Sequence, residues 1–248
     1  MKLSIIIPVF NATEELKSTL ISVINGTDNL YELIVVDDHS DEKTQEFIDG
    51  LRIEDSLNCR LIKTRNPKHS WTNTSWNVGV SLASGDYIAV LNSDIRVSIH
   101  WDTHLIKLLN KYTIACPYEL VKGEFVKLDP TIQKIDPRMI KGACFMFKGK
   151  DKWLFPIPKQ LVHWYGDRYL ADKANKKDGV GFSKKATIIH NTTSSGRLIK
   201  PIKYLRRVLK DVIAYEKLTG KNESLIKNGL KTQIANARER RKDETNIK

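Results

Sequence analysis

The sequence predicts an α/β fold built on a mostly parallel, doubly wound sheet, with basic helices at the C-terminal end. Short apolar runs alternate with amphipathic segments along the first half of the chain, which is typical of strand–helix–strand units. The apolar runs also stop abruptly at polar residues, and the one at 32–37 ends at the adjacent carboxylates Asp37 and Asp38. A buried strand that delivers acidic side chains to its own C-terminal end is how an open α/β sheet builds a ligand crevice.

The predicted elements follow in chain order. Strands are predicted at 3–9, 32–37, 60–64 and 87–91, with further strands at 113–116, 124–128, 142–147 and 186–190. Helices are predicted at 12–25, from an N-cap at Asp41 to about residue 50, and at 72–83, 101–110 and 161–175. Residues 129–140 contain prolines and aspartates and are predicted to form a loop.

Two basic helices are predicted after the last strand. Pro201 suits the first helical position, and Gly220 ends the first helix. Apolar side chains recur at helical spacing in both helices, namely Ile202, Leu205, Val208, Leu209 and Val212 in the first and Leu225, Leu230 and Ile234 in the second.

Composition is typical of one large domain, or of one domain with an appendage. The chain has 248 residues and 41% hydrophobic content, which is enough to bury a sizeable core. No apolar run reaches the length of a membrane-spanning helix, and the first apolar run lacks the flanks of a signal peptide. The three cysteines are scattered without metal-like spacing, so we interpret them as reduced core thiols of a cytoplasmic protein.

Positive charge is concentrated at the C-terminal end. The formal net charge is +12, of which residues 197–248 carry +9 and residues 1–196 carry +3. Such an asymmetry favours a polyanionic partner, either nucleic acid or an anionic membrane surface. The simpler alternative is that these charges belong to a solvated helical face.

The turn after the first strand excludes two common phosphate sites. It contains no glycine, so it is neither a dinucleotide-binding G-x-G-x-x-G turn nor a P-loop with its lysine. A divalent cation held by carboxylates is the obvious alternative, because Mg²⁺ and Mn²⁺ combine a few oxygen ligands with substrate phosphates. Asp94 is the candidate ligand, since it follows the strand at 87–91 at the same edge as Asp37 and Asp38. The alternative is that Asn92, Ser93 and Asp94 form only a polar turn.

Five motifs in order carry a family resemblance. They are Ile5-Ile-Ile-Pro8-Val-Phe-Asn11, Val35-Val-Asp37-Asp38-His-Ser40-Asp41, Asn77-Val-Gly79, Ala83-Ser-Gly85-Asp86-Tyr87-Ile and Leu91-Asn92-Ser93-Asp94. This set resembles the nucleotide-sugar-binding half of family 2 glycosyltransferases, which have the GT-A fold. The resemblance implies a GT-A domain at 1–196, with a nucleotide-sugar half at 1–95 and an acceptor half at 96–196, followed by a basic helical extension at 197–248.

The resemblance assigns roles on the donor side. It implies a nucleotide-sugar donor, with a UDP-sugar favoured, and Mn²⁺ or Mg²⁺ as the cofactor. The residues implied to bind the nucleotide sugar are Pro8, Val9, Phe10, Asp37 or Asp38, Asn77, Asn92 and Ser93. Asp94 would be the last residue of the family's metal-binding Asp-x-Asp signature, of which Asn92 replaces the first aspartate. The loop at 66–76 also departs from the family pattern, so the contacts to the sugar are expected to differ.

On the acceptor side, Asp167 occupies the place where inverting members keep their catalytic carboxylate. An inverting transfer needs one base to deprotonate the acceptor hydroxyl as it attacks the anomeric carbon. The alternative is an exposed aspartate favoured by a helix N-terminus. His190 lies where related enzymes often place a histidine on the metal or the diphosphate. The weaker candidates are Trp164 and Tyr165 for stacking, Arg206, Arg207 and Lys210 for the acceptor, and Ser194, Ser195 and Arg197 for phosphate.

The sequence leaves two classes of acceptor molecule open, and a third, non-enzymatic interpretation beside them. The first is DNA with a hydroxylated or hydroxymethylated base, whose phosphates the basic helices would hold, as in a phage-type nucleic-acid-modifying enzyme. The second is a glycan of cell-surface polysaccharide or lipid-linked synthesis, with those helices on anionic lipid. Residues 198–248 contain no Trp or Phe, which favours nucleic acid over a membrane surface. A non-enzymatic nucleotide- or nucleic-acid-binding module is the third interpretation, supported by Asn92 alone.

Overall fold

A computed structural model describes residues 1–53, 57–121, 142–190 and 202–246, with side chains omitted at 120–121 and 238–246. The strands are β1 (Leu3–Val9), β2 (Leu30–Asp37), β3 (Arg60–Arg65), β4 (Tyr87–Leu91), β5 (Ile95–Val97), β6 (Ile114–Val121), β7 (Cys144–Lys148) and β8 (Val180–His190). The helices are α1 (Thr13–Gly26), α2 (Glu42–Gly50), α3 (Thr72–Leu82), α4 (Trp101–Leu108), α5 (Gly166–Ala174), α6 (Ile202–Thr219) and α7 (Ser224–Asn246), with a 3₁₀ helix at Gly149–Leu154.

All eight strands form one sheet in the order β3-β2-β1-β4-β7-β6-β8-β5. The first half is parallel throughout, since β1 pairs in parallel with β2 and β4, and β2 with β3. The second half is mixed, because β7 runs antiparallel to β4 and β6, and β8 runs parallel to β6 but antiparallel to β5. The predicted α/β fold is therefore confirmed, and the antiparallel strands lie on one side of the sheet.

The alternation of side chains along β1 divides the core between the two faces of the sheet. Leu3, Ile5 and Ile7 pack with α1 and α4 on one face. Ile6 packs on the opposite face, where α3, α5, α6 and α7 contribute to a second core. Gly79 brings α3 close to this strand, because a Cβ atom at that position would lie 2.2 Å from Ile6 Cγ2.

Most predicted elements are present with boundaries shifted by a few residues. Asp41 caps α2 as predicted, and its side chain accepts a hydrogen bond from the Thr44 N–H at 3.0 Å. Gly220 follows α6 with a φ of 71°, which an L side chain adopts at a cost. The short strand β5 was not predicted. The predicted strand at 124–128, the predicted loop at 129–140 and Pro201 lie outside the described residues.

Two predictions about helices were wrong. The helix predicted at 161–175 begins only at Gly166, because Tyr165 has a left-handed backbone with φ of 64° that interrupts helical geometry. In α7, Leu230 and Ile234 are buried as predicted, but Leu225 is 88% exposed. Leu225 lies in the first turn of α7, one residue after its start, and points away from the core.

The C-terminal helices belong to the main core. Leu205, Val208, Val212 and Tyr215 of α6 are buried and pack in one cluster with strand residues such as Phe145. The stretch 197–248, predicted as an extension, therefore covers one face of the sheet through its described helices. Removing it would expose a large apolar surface to water.

A buried carboxylate joins α6 to the segment before α5. Asp211 has no exposed surface and accepts hydrogen bonds from the N–H groups of Val162 at 3.3 Å, His163 at 3.1 Å and Trp164 at 2.9 Å. The Arg207 guanidinium donates to the same carboxylate at 2.5 Å. Because a carboxylate stabilises several convergent N–H groups, Asp211 fixes the backbone of these three residues against α6.

The described residues also test the predictions about membrane-spanning helices and about the cysteines. None of the described helices combines the length and apolar character needed to cross a membrane. Cys116 and Cys144 are buried in the core, as predicted for thiols, and Cys59 is half-buried.

We expect Leu205→Ala to lower the free energy of unfolding by about 2–5 kcal/mol, because it leaves a cavity in a packed core. Chemical denaturation measures this loss. The control Leu218→Ala lies on the same helix at a 43% exposed position and should change stability by less than about 0.5 kcal/mol. A separate, earlier unfolding transition for α6 and α7, with the remaining core unaffected by Leu205→Ala, would contradict this packing.

We expect Asp211→Asn to lower the free energy of unfolding by about 2–3 kcal/mol, because it leaves Arg207 without its buried partner and weakens the backbone hydrogen bonds. Limited proteolysis should then cleave near residues 160–166. Asp172→Asn is the matched control, since Asp172 also joins α5 to the C-terminal helices through Tyr215 and Lys221 but contacts none of these N–H groups. Equal protease resistance in both variants would argue against a special role for Asp211.

Candidate active site

A cavity of about 750 Å³ opens at the edge of the sheet where β1, β2 and β4 end. This volume lies within the range of sites for small molecules. The segments after those three strands form one side, and residues from 69–76, 142–143 and 163–168 form the other. Tyr204 of α6 and Ile226 of α7 complete the lining, so the C-terminal helices contribute to the site.

Asp38 organises the loop that follows β3. Its carboxylate is 3% exposed and accepts hydrogen bonds from Asn66 Nδ2 at 2.7 Å and from the N–H groups of Ser70 and Trp71, both at 2.8 Å. His69 Nδ1 lies 2.9 Å from the same carboxylate. Trp71 has φ of 72° and ψ of 167°, a conformation that favours glycine. The carboxylate therefore stabilises a strained backbone at the wall of the cavity.

Two of the predicted nucleotide-binding residues have partners within the protein. Asp37 is fully buried, accepts a hydrogen bond from Arg65 Nε at 2.5 Å and another from the Ser40 N–H at 2.9 Å. Asn77 exchanges two hydrogen bonds with the backbone of Ile157, at 2.9 and 2.8 Å. Neither is among the described residues that line the cavity. Of the two adjacent carboxylates, the structure places Asp38 in the cavity wall.

The other predicted donor-side residues do line the cavity, namely Pro8, Val9, Phe10, Asn92, Ser93 and Asp94. Thr19, a buried residue of α1, holds the turn after β4. Its hydroxyl donates to the Ser93 carbonyl at 2.7 Å and accepts from the Ile95 N–H at 3.1 Å. Asn92 is fixed from the other side, since its N–H donates to the Ala143 carbonyl at 2.9 Å. The turn is therefore held by two elements before any ligand arrives.

Asp94 and His190, the predicted metal ligands, are in direct contact. His190 Nε2 lies 3.2 Å from Asp94 Oδ1, because Ile95 and His190 are opposite each other in the pairing of β5 with β8. His190 Nδ1 lies 2.7 Å from Oε1 of Glu119, on β6. Burial alone would lower the pKa of His190, but the two carboxylates outweigh it and raise that pKa to about 9.

The donor atoms here fit a divalent cation that also binds a diphosphate. Asp94 supplies a carboxylate oxygen on the cavity wall, and the His190 ring nitrogen next to it would become a donor when a bound cation displaces its proton. Glu119 is on the far side of the imidazole, where a carboxylate orients a histidine ligand. No cluster of three His, Cys, Asp or Glu residues suited to a metal occurs in the described part of the chain. Two protein donors suffice for Mg²⁺ or Mn²⁺, which take further ligands from phosphates and water.

Asp167 lies in the first turn of α5 and lines the cavity. Its Oδ1 accepts a hydrogen bond from the Arg168 N–H at 2.8 Å. Gly142 lies against it, because a Cβ atom at that position would be 3.2 Å from Asp167 Oδ2. Burial raises the pKa of the Asp167 carboxyl above its ordinary value of 3.8, and backbone N–H groups of Arg168 and Gly142 oppose that rise. A carboxylate with a raised pKa is a stronger base.

Four aromatic side chains form a wall beside Asp167, which we call the aromatic platform: Trp71, His163, Trp164 and Tyr204. The ring centroids of Trp71 and His163 are 4.9 Å apart, and those of His163 and Tyr204 are 5.4 Å apart. Trp164 Nε1 donates to the Tyr204 hydroxyl at 3.0 Å. The rings therefore form one continuous surface drawn from three segments of the chain.

The remaining predicted acceptor residues differ in their surroundings. Tyr165 is among the residues that line the cavity, but it is only 6% exposed and packs on Tyr215. Arg207 donates to Asp211 and to the Gln160 carbonyl. Arg206 and Lys210 are exposed on α6 and are not among the described lining residues. Ser194, Ser195 and Arg197 lie outside the described residues.

Sequence reasoning missed three residues that shape the site, namely Glu119, Tyr204 and Asp211. Glu119 has no local signal, because its role depends on how β6 pairs with β8. Asp211 did have a local sequence signal, because it is an acidic residue next to the apolar stripe of a basic helix. A carboxylate buried at such a position needs hydrogen-bond partners.

Comparisons with known proteins agree with this geometry. The model of glycosyl transferase family 2 matches residues 4–159. An uncharacterized glycosyltransferase from Haemophilus influenzae is 32% identical over 143 residues, which cover 54% of each chain. The chain thus spans about half the length of this curated relative.

Solved structures share the fold at low identity. TarS 1–349 of Staphylococcus aureus superposes with a TM-score of 0.64 and 15% identity, covering 95% of this chain and 71% of that one. The mannosyltransferase PcManGT of Pyrobaculum calidifontis, solved with GDP-Man and Mn²⁺, gives a TM-score of 0.66 and 13% identity, covering 94% and 69%. Together with the family match over most of the chain, they identify it as a member of glycosyl transferase family 2 with the GT-A fold.

Proposed function

We propose that this protein transfers a sugar from a nucleoside diphosphate sugar to an acceptor hydroxyl, with inversion at the anomeric carbon and with the help of Mn²⁺ or Mg²⁺. The observation that carries the proposal is that Asp94, which contacts His190 at 3.2 Å, and the Asp167 carboxylate line one cavity in a member of this family. These are the groups that such a transfer needs, a cation site at the leaving phosphate and a base at the acceptor.

A divalent cation bound by Asp94 and His190 would supply Lewis-acid stabilisation of the departing diphosphate. The protein's own part is to orient the two donors. Thr19 fixes the turn that carries Asp94, and Glu119 holds the imidazole of His190 at its other nitrogen. The solved GDP-Man and Mn²⁺ complex of PcManGT supports a nucleotide sugar and a metal in this fold. A UDP-sugar stays our prediction for the donor.

Asp167 is the base in this proposal. Its Oδ2 accepts the proton of the acceptor hydroxyl while the acceptor oxygen bonds to the anomeric carbon and the bond from that carbon to the phosphate oxygen breaks. The nucleoside diphosphate leaves with the electron pair. The Arg168 N–H stabilises Oδ1 and so keeps the carboxylate in place during the transfer.

A glycan is the acceptor class that the cavity supports best. Aromatic rings next to carboxylates suit a sugar, whose C–H face packs on a ring while its hydroxyl groups donate to carboxylate oxygens. The uncharacterized relatives give no acceptor, and the dolichol-phosphate mannosyltransferase of Pyrococcus furiosus, 30% identical over 148 residues, is named for a mannosyl transfer.

DNA with a hydroxylated or hydroxymethylated base is the second candidate acceptor, and one observation favours it. Lys203, Arg206, Lys210 and Lys217 are exposed on α6 and fall within about 60° of one another around the helix. Such a basic stripe suits phosphates without reading sequence. The stripe faces away from the cavity side of α6, since Tyr204 lies about 100° from Lys203 and more than that from the others.

We expect Asp167→Asn to slow transfer by about 10²–10⁴-fold while nucleotide binding is unchanged, because the amide cannot accept the acceptor proton. A donor panel with product detection by mass spectrometry measures the rate, and calorimetry measures nucleotide affinity. In the wild type the rate should fall as the pH drops through the raised pKa of Asp167. Asp172→Asn, on the same helix but outside the cavity, is the control. A wild-type rate in Asp167→Asn would remove Asp167 from this role.

We expect Asp94→Asn to abolish tight binding of Mn²⁺ in the presence of a nucleoside diphosphate, because it removes the carboxylate ligand on the cavity wall. Glu119→Gln should weaken it by about 10–100-fold, since the histidine loses its orienting partner. Electron paramagnetic resonance of Mn²⁺ measures both. Asp86→Asn, an exposed residue at the opposite end of β4, is the control. Unchanged Mn²⁺ affinity in Asp94→Asn, or full transfer in EDTA, would contradict the cation site.

A further inference from the structure

We propose that the aromatic platform is a binding subsite for one neutral sugar ring of the acceptor, and that α6 builds this subsite by contributing Tyr204 and by holding the segment that carries His163 and Trp164. The inference rests on the proposed sugar transfer and names the class of molecule that receives the sugar.

The platform is large, apolar and open to the cavity. Trp164 is 37% exposed although it lies in the cavity lining, and Phe10, another lining residue, is 45% exposed. A chain of ring contacts connects them, since Phe10 and His69 have centroids 4.0 Å apart and His69 and Trp71 have centroids 4.5 Å apart. Exposed aromatic side chains in a cavity indicate a ligand with an apolar face.

The subsite lies mostly beyond the part of the chain that the family model matches. That match ends at residue 159, whereas His163, Trp164 and Tyr204 follow it. The donor side belongs to the matched part, because Asp38 and Asp94 are within it. Three of the four platform residues therefore lie C-terminal to the matched part.

The platform is held in place before a ligand binds. Asp211 accepts the N–H groups of His163 and Trp164, which fixes the backbone of both. The Tyr204 hydroxyl accepts from Trp164 Nε1 at 3.0 Å and lies 3.3 Å from His163 Nε2. Because the rings are already ordered, a ligand that stacks on them loses little further entropy to the protein.

The charges in the cavity favour a neutral ring. Its described lining contains three carboxylates, Asp38, Asp94 and Asp167, and one guanidinium, Arg168. That guanidinium forms an ion pair with Glu223 at 2.9 Å. A cation beside Asp94 serves the donor phosphates in this proposal, so the acceptor side keeps a carboxylate that repels phosphate. Hydroxyl groups, in contrast, donate well to carboxylates.

A nucleobase could also stack on these rings, but its phosphates would need basic groups near the mouth of the cavity. The exposed basic side chains of α6, such as Arg206 and Lys210, lie on the side of the helix turned away from Tyr204. The placement of these charges therefore favours a sugar over a flipped base.

The platform also lies close in sequence to Asp167, the proposed base. Trp164 precedes Asp167 by three residues, and both line the cavity together with Gly142. We therefore expect a sugar ring that packs on Trp164 to present a hydroxyl group to the Asp167 carboxylate. The aromatic face of Trp164 would thus decide which sugar binds. The Asp167 carboxylate would accept the proton from one hydroxyl group of that sugar.

The test is saturation-transfer NMR with methyl glycosides of glucose, mannose, galactose and N-acetylglucosamine, each at millimolar concentration with the wild-type protein. We expect transfer to the C–H protons of one ring face for at least one glycoside. Trp164→Ala should weaken its binding by about tenfold, because the stacking surface is lost. Trp153→Ala is the matched control, since Trp153 is 42% exposed and lies outside the described cavity lining. Tyr204→Phe keeps the ring and should bind almost as wild type.

The outcomes separate this inference from the proposed function. UDP and GDP binding, measured by calorimetry, should be equal in the wild type and Trp164→Ala. Absence of glycoside binding to the wild type, or equal binding to Trp164→Ala, overturns the subsite. Binding of a hydroxymethylated oligonucleotide that depends on Trp164, without glycoside binding, overturns it in favour of nucleic acid. Loss of nucleotide binding in every protein would instead be a failure of the proposed function.

Discussion

The parallel pairing of β1 with β2 and β4 is the constraint on which the site depends. Because parallel strands end at the same edge, the polar residues after each strand meet there, and Asp38 and Asp94 come to line one cavity although they are distant in sequence. The antiparallel strand β8 then returns to that edge and brings His190 to Asp94. The pairing of the strands in the sheet thus brings together the candidate donor site from the ends of β1, β2, β4 and β8.

Buried carboxylates that bind backbone N–H groups supply the local order of the cavity walls. Asp38 holds the loop of Ser70 and Trp71, and Asp211 holds the segment of His163 and Trp164. Each carboxylate satisfies N–H groups that precede a helix and would otherwise lack a partner, and each loop presents aromatic side chains to the cavity. The two walls are therefore held by the same kind of interaction, although their loops lie about 90 residues apart in the sequence.

The sequence predicted what depends on local pattern. Apolar runs located β1, β2 and β4, and the residues after them located Asp94, because burial and strand ends are written in short stretches of sequence. The start of α5 was misplaced because the left-handed backbone of Tyr165 has no local sequence signal, and the partner that holds the segment before it, Asp211, lies 47 or more residues away. Glu119 and Tyr204 were not predicted as site residues for the same reason. Contacts of high sequence separation have no periodic signature, so they become visible only in the fold.

The central claim is that a divalent cation held by Asp94 and His190 binds the diphosphate of a nucleotide sugar. A crystal structure of the wild-type protein grown with Mn²⁺ and a nucleoside diphosphate tests it most directly through the anomalous scattering of manganese. The account predicts one strong anomalous peak between Asp94 Oδ1 and the diphosphate, with His190 turned to the metal and the nucleoside against Pro8 and Phe10. A diphosphate bound elsewhere, or a peak away from Asp94, would contradict the account.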